Sequence, residues 1–421
     1  MSFRKKAPSL REITKISLHK PQKHQLDNGI PVFEVNMGTQ ALLKLEIIFF
    51  AGRWYENKPL VARATARLLK EGTKHKTSAQ IAEMIDFYGG SLKVVGNLDT
   101  ASITLFCLSK HFETLLALVH ELLTEPIFPQ KEMDSYTRTA KMNLEIEQSK
   151  NDIVAYREVT AAMYGDKHPY GYNSTPNDYD LLSREDLLEH FNQNYHAANC
   201  KIIISGQTSD VHLKQINELF GKSFSLGEKR SVQHPLNPYK QRKIQLKIPN
   251  SVQTAIRIGR VLPSRKHPDY FGVLVLNTLL GGYFGSRLMR NIREEKGYTY
   301  GIHSSIDNML NGNYFYIGTE VGLDVTKPTL KEIYKELKCL REEPAGQEEL
   351  EKLRNYLLGT ILTSMDGPFN ISRMVKTLVL EELDATYFQR FIDTIKTIQP
   401  EQLQALANQY FQEEDLSLIH I

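Results

Sequence analysis

Two stretches in the first half of this chain are echoed about 215 residues further on, and that repeat limits the fold more than any local signal. Tyr195 to Ile204 shares its pattern with Tyr410 to Ile419. Ala101 to Cys107, followed by a helical pattern ending at Pro126, is matched by Tyr314 to Glu320 and a helical pattern ending at Pro344. A period this long is a duplicated domain, since solenoid repeats run to tens of residues. The reading is an arm over 1–22, a domain over 23–226, a linker over 227–240 that carries Pro235 and Pro238, and a second domain over 241–421. A chain of 421 residues, 41% apolar, can fill two separate cores.

Local patterns supply the class. Asp27, Asn28 and Gly29 make a hairpin turn, and Ile30 to Val35 is the returning strand. Leu42 to Phe50 is apolar almost throughout and reads as a central strand. Leu60 to Thr73 reads as a helix, and so does Thr77 to Gly89, with Ala79, Ile81, Ala82, Met84, Ile85 and Tyr88 on its buried side. Strands over Ser91–Val95 and Ala101–Ser109 precede an amphipathic helix, His111 to Leu123. The expected fold is α+β: two similar domains, each a mainly antiparallel sheet with helices packed on one face.

The most distinctive stretch runs from Leu280 to Ser304. Gly281, Gly282 and Gly285 read as a flexible, substrate-binding loop, and Ser286 as the N-cap of a helix marked by Leu288, Met289 and Ile292. Gly297 ends that helix, because glycine reaches a left-handed conformation without strain. Tyr298, Tyr300 and Ile302 then alternate into a strand. The pattern Arg-Glu-x-x-Gly-x-x-Tyr, Arg293 to Tyr300, resembles the second-domain signature of the pitrilysin-like inverzincin metallopeptidases. That resemblance, which covers the chain from about residue 23, implies that Arg293 and Tyr300 reach a substrate and its developing oxyanion at a zinc site carried by another domain.

Active members of that family carry His-x-x-Glu-His on a helix ending shortly before Gly-Thr. Histidines at i and i+4 share a helical face and can both ligate zinc, while the glutamate acts as base on the bound water. Ala51 to Glu56 resembles the family's loop into that helix, and counting back from Gly72-Thr73 puts Arg63, Ala66 and Arg67 at the three motif positions. An arginine keeps its proton and cannot ligate a metal, and alanine offers no base. The family's third ligand falls near Asn143, so Glu145 or Glu147 stands in rough register and is expected to pair with the arginines.

Two further look-alikes read as scaffold. Asp186 to His190 imitates the zinc motif with its first histidine lost, and His168 to Gly171 resembles a structural loop beside the family's cleft. Cys107, Cys200 and Cys339 are scattered and odd in number, which suits buried thiols in a reducing compartment. A net charge of +3, without a basic stripe, does not favour nucleic acid as a partner. With no signal-like or membrane-spanning run read, the expected location is cytoplasmic. The resemblance therefore implies a non-catalytic subunit of a heterodimeric zinc peptidase. It would hold no metal or cofactor, its partner would be a homologous subunit keeping His-x-x-Glu-His and zinc, and its substrate a peptide. The alternative is a peptide-binding or structural scaffold with no catalytic partner, holding an extended peptide on an exposed sheet edge.

Overall fold

The structure, a computed structural model, describes residues 19–249 and 251–421, so residues 1–18 of the expected arm lie outside the described residues. The first half builds one sheet from β1 (Gln22–Gln25), β2 (Pro31–Asn36), β3 (Leu42–Phe49), β4 (Ser91–Gly96), β5 (Ala101–Leu108) and β6 (Cys200–Gly206). Its strand order is β1-β2-β6-β3-β5-β4, with only β2 and β6 parallel. The hairpin turn between β1 and β2 closes on Gly29, whose φ of 89° is why a glycine stands there. The second half builds a sheet from β7 (Lys243–Gln245), β8 (Gln253–Leu262), β9 (Ile302–Met309), β10 (Gly312–Gly322) and β11 (Ser417–His420). Its order is β7-β11-β8-β10-β9, again with one parallel pair, β7 with β11. Strand for strand, this is the first sheet without β1. The duplication read from the sequence is a duplication of topology.

Strand alternation assigns the faces. Leu43, Leu45, Ile47 and Phe49 of β3 point into the first core with Leu115, Leu118, Leu122 and the Val61–Leu68 helix. The second half places Ile256, Ile258, Phe315 and Ile317 against its own helices, among them Tyr270–Gly281 and Thr326–Glu342. These are the expected α+β layers. What periodicity could not reveal is the covering of the opposite faces. The helix Gly367–Leu380 leaves the second half and lies across β2 and β6 of the first, packing Ile371 and Val375 on Val35, Ile48 and Ile203. The helix Asn151–Tyr164 does the reverse, setting Ala155, Val159 and Ala162 against Ala255 and Ile419. Each sheet is thus completed by a helix from the other half.

Polar contacts lock this exchange. Lys376 reaches Glu46 at 2.5 Å, Lys44 lies 3.0 Å from Glu46 and donates to Ser372 at 3.2 Å, and Lys201 donates to the Val379 carbonyl at 2.6 Å. The two lysines hold the buried Glu46 carboxyl below its ordinary range against the opposing effect of burial. At the other contact Asp99, beside β4, accepts from Tyr170, from the Leu310 amide at 3.0 Å and from Asn311 at 3.3 Å. The stretch 227–240 holds no helix or strand and runs along the first half, where Trp54 donates to the Val232 carbonyl at 3.1 Å.

Two local expectations change. The helix expected over 60–73 spans Val61–Leu68, because Gly72 and Thr73 are drawn into bridges with Thr77 and Pro126. In the Ser78–Phe87 helix only Ile81 is buried, and Ala79 and Ala82 face solvent, so the helix rides on the surface by one edge.

Candidate functional site

The Val61–Leu68 helix is amphipathic by position. Ala62, Ala64, Thr65, Ala66 and Leu68 are buried, while Arg63 and Arg67, one turn apart, are exposed on one face. Its first turn is held by a network the sequence did not announce. Leu60, the residue before the helix, has φ +70°, a left-handed conformation that is strained for leucine. The Tyr172 hydroxyl accepts from the Leu60 amide at 3.3 Å and donates to Glu56, whose other oxygen accepts from the Ala62 amide at 3.2 Å. Arg53 lies 4.0 Å from Glu56 and donates to the Tyr172 carbonyl. Burial outweighs these partners and pushes the Glu56 carboxyl up to about 7. A carboxylate following Trp54-Tyr55, just before a helix, was the available signal for this capping role.

Arg63 and Arg67 open into a groove of about 560 Å³, walled by the Gln130–Gln148 helix and by Val94, Val95 and Gly96 of β4. Asn143 and Glu147 line this groove, whereas Glu145 faces the other side of its helix. The expected pairing of Glu145 or Glu147 with the arginines is not made: Arg67 pairs with Glu71 at 3.0 Å, and Arg63 has no carboxylate within 4 Å among the described residues. Ala66 is fully buried, its methyl against Gly96 of β4. Two guanidinium groups and a sealed methyl do not fit zinc. Among the described residues no group of three His, Cys, Asp or Glu side chains could hold a metal ion.

The look-alike histidines have structural partners. His190 meets the Ala51 carbonyl at 3.1 Å, and the His168 ring accepts from the Tyr170 amide at 3.1 Å; burial depresses both imidazoles to about 4. Asp186 closes a capping box with Ser183. The three thiols are free, and burial raises those of Cys107 and Cys200.

Arg293 and Tyr300 line a second groove, of about 740 Å³, with Gln253, Thr299, Glu320 and Gly322. It shares no lining residue with the groove at Arg63. The glycines leading to it span a helix end and the turn that follows, in which Gly282 and Gly285 are exposed. Gly281 is buried at the end of its helix, where a side chain would meet the Ser304 amide at 2.6 Å, and Gly282 sits equally close to Thr278. Gly285 packs on the Tyr283 ring. Ser286 is buried and provides no side-chain cap. The helix beyond it is wound wide, in π form over Met289–Glu295, with the Lys296 amide reaching back to the Asn291 carbonyl. Gly297 ends it at φ +67°, as read from the sequence. Arg293 lies over the Phe284 ring at 4.6 Å, and Tyr300, 98% exposed, precedes β9.

Comparison with known proteins agrees with this fold. Residues 39–172 match the family described as insulinase (peptidase family M16), and residues 181–357 match the peptidase M16 inactive domain. A Bacillus subtilis protein named uncharacterized zinc protease YmxG is 21% identical over 93% of this chain and 96% of its own length. The structure of a peptidase M16 inactive domain from Pseudomonas fluorescens superposes with a TM-score of 0.86 at 24% identity, covering 95% of this chain and 97% of that one. A protease from Helicobacter pylori gives 0.88 at 16% identity, over 96% and 99%. With the duplicated sheets and both family matches in place, this chain belongs to peptidase family M16, as a non-catalytic homologue.

Proposed function

We propose that this chain is the non-catalytic subunit of a heterodimeric zinc metallopeptidase, lending Arg293 and Tyr300 to a homologous subunit that keeps His-x-x-Glu-His and the zinc. The observation that carries this reading is Tyr300, a phenol held almost wholly in solvent in a groove that Arg293 also lines, apart from the Val61–Leu68 helix. Core packing has no use for that pair. Catalysis in trans does: arginine offers a permanent fork of donors to a peptide carbonyl, and a tyrosine hydroxyl stabilises a tetrahedral oxyanion once a partner has closed over it. Three free thiols support a reducing, cytoplasmic setting for the pair.

The test is cleavage of a quenched fluorescent peptide by this chain mixed with a His-x-x-Glu-His subunit of the same organism. Activity saturating near one-to-one is expected. Arg293→Ala and Tyr300→Phe should each lower kcat by about tenfold to a hundredfold with zinc content and association unchanged. Full turnover in both variants would refute the assignment. A second reading, a peptide-binding scaffold without a catalytic partner, is favoured by the free edge of β4; peptide binding by this chain, with no hydrolysis in any pairing, would select it.

A further inference from the structure

A cavity of about 280 Å³ lies between the Gly367–Leu380 and Tyr387–Thr397 helices of the second half and residues 19–21, which lead into β1 of the first. Met365, Met374, Leu378 and Phe388 wall it, and among its lining residues only His19 and Lys20 can carry a charge. The grooves at Arg63 and Arg293, by contrast, are walled largely by charged and polar side chains. Ile371 and Val375 line the cavity and also pack on Val35, Ile48 and Ile203 of the first sheet. Whatever fills the space therefore rests against the helix that the second half lends to the first. Two of the walls are methionines, whose unbranched chains close on guests of varied shape. So apolar a space gives water few partners. Lys20 stands exposed at the rim and makes no ion pair among the described residues. Asp384, on the turn between the two helices, is held by Arg390 at 2.6 Å and by the Thr386 amide at 2.8 Å, which leaves Lys20 unclaimed.

We propose that this cavity binds a medium-chain fatty acid, with the hydrocarbon chain inside and the carboxylate on the Lys20 ammonium. Size sets the length. An apolar cavity of about 150 Å³ takes a six-carbon ring, so this one takes a chain of roughly ten carbons. Chemistry sets the class: the walls offer a peptide or a sugar no hydrogen-bond partners, and a single cation at the rim suits a single anionic head. Burial of each methylene favours binding, and the ammonium selects an acid over a neutral chain of the same length. A bound acid touches the entry to β1 on one side and both helices of the second half on the other, so it fastens the exchange of helices between the halves. Because such a ligand binds only the folded chain, it stabilises that chain by mass action. The site shares no lining residue with the Arg293 groove and stands whether or not a catalytic partner exists.

The test is calorimetric titration of the full chain with straight-chain acids from hexanoate to tetradecanoate, with Tm measured on the same samples. Affinity should rise about fourfold with each added methylene as far as roughly decanoate and then level off, because further methylenes stay in water. Decanoate should bind about threefold to fivefold more tightly than 1-decanol, and Lys20→Gln should remove that gap while leaving decanol binding intact. Met374→Trp, which sets an indole in the cavity, should abolish binding of both, and decanoate should raise the Tm of the native chain but not of this variant. The length series and Lys20→Gln decide the matter even where Met374→Trp fails to fold. Affinity that keeps rising through tetradecanoate would mark adsorption to the surface and overturn the proposal. Equal affinity for acid and alcohol, undiminished binding by a folded Met374→Trp, or neither binding nor a change in Tm with any acid would overturn it too.

Discussion

Glu56 is a carboxyl group asked to serve two purposes. It caps the first turn of the Val61–Leu68 helix by accepting from Ala62, which favours the ionised form, yet it is buried where charge is costly, and burial prevails. A carboxyl whose pKa rises on folding from 4.5 to about 7 binds its proton more tightly in the folded chain. Stability conferred by that proton is complete at pH below 4.5 and is lost as pH climbs through about 7, amounting to about 3 kcal/mol in all. Urea midpoints measured from pH 5 to pH 8 should therefore fall more steeply for the native chain than for Glu56→Gln; parallel curves would show that Glu56 is ionised throughout. The nearby Arg67–Glu71 pair is half in solvent and contributes little by comparison.

The segment from Tyr270 to Gly297 shows one residue type used for two different reasons. At Gly297 a side chain would meet nothing, and the demand is for φ +67° alone, so Gly297→Ala should cost about 1 kcal/mol. At Gly281 the conformation is ordinary and the space is not, since a methyl would press on the Ser304 amide; Gly281→Ala should cost more, about 2–3 kcal/mol. Chemical denaturation of both variants checks the order, and a reversed order would mean that the β9 backbone yields at Ser304. Gly297 could be read from the sequence because a helix stop is a local event. The π winding of Met289–Glu295 could not, since the spacing of Leu288, Met289 and Ile292 reads the same for an ordinary helix. Spacing placed Arg63, Ala66 and Arg67 together on one helix, and the structure sets both arginines on its exposed side and Ala66 inside. The Arg67–Glu71 pair is an i,i+4 contact that helical spacing encodes, whereas Glu56 and Tyr172 under the first turn could not be placed, because that contact rests on loops whose course no periodicity encodes. The exposure of Ala79 and Ala82 has the same root: a run of small apolar residues suits a helix either buried or bare.

The exchange of helices makes the two halves interdependent. Without Gly367–Leu380 the first sheet presents Val35, Ile48 and Ile203 to water, and without Asn151–Tyr164 the second presents Ala255 and Ile419. Residues 23–226 and 241–421 made as separate chains should thus be poorly soluble alone and recoverable as a folded pair when made together, judged by size-exclusion chromatography. Two well-behaved monomers with cooperative unfolding would contradict this. The exchange also runs in a fixed direction in time. During synthesis the second sheet emerges to find its covering helix already made, but the first must wait for a helix that ends at Leu380, near the close of translation. At typical ribosomal speeds that wait lasts on the order of ten seconds or more, during which an apolar strip on a finished sheet stands open to whatever else in the cell has a use for it.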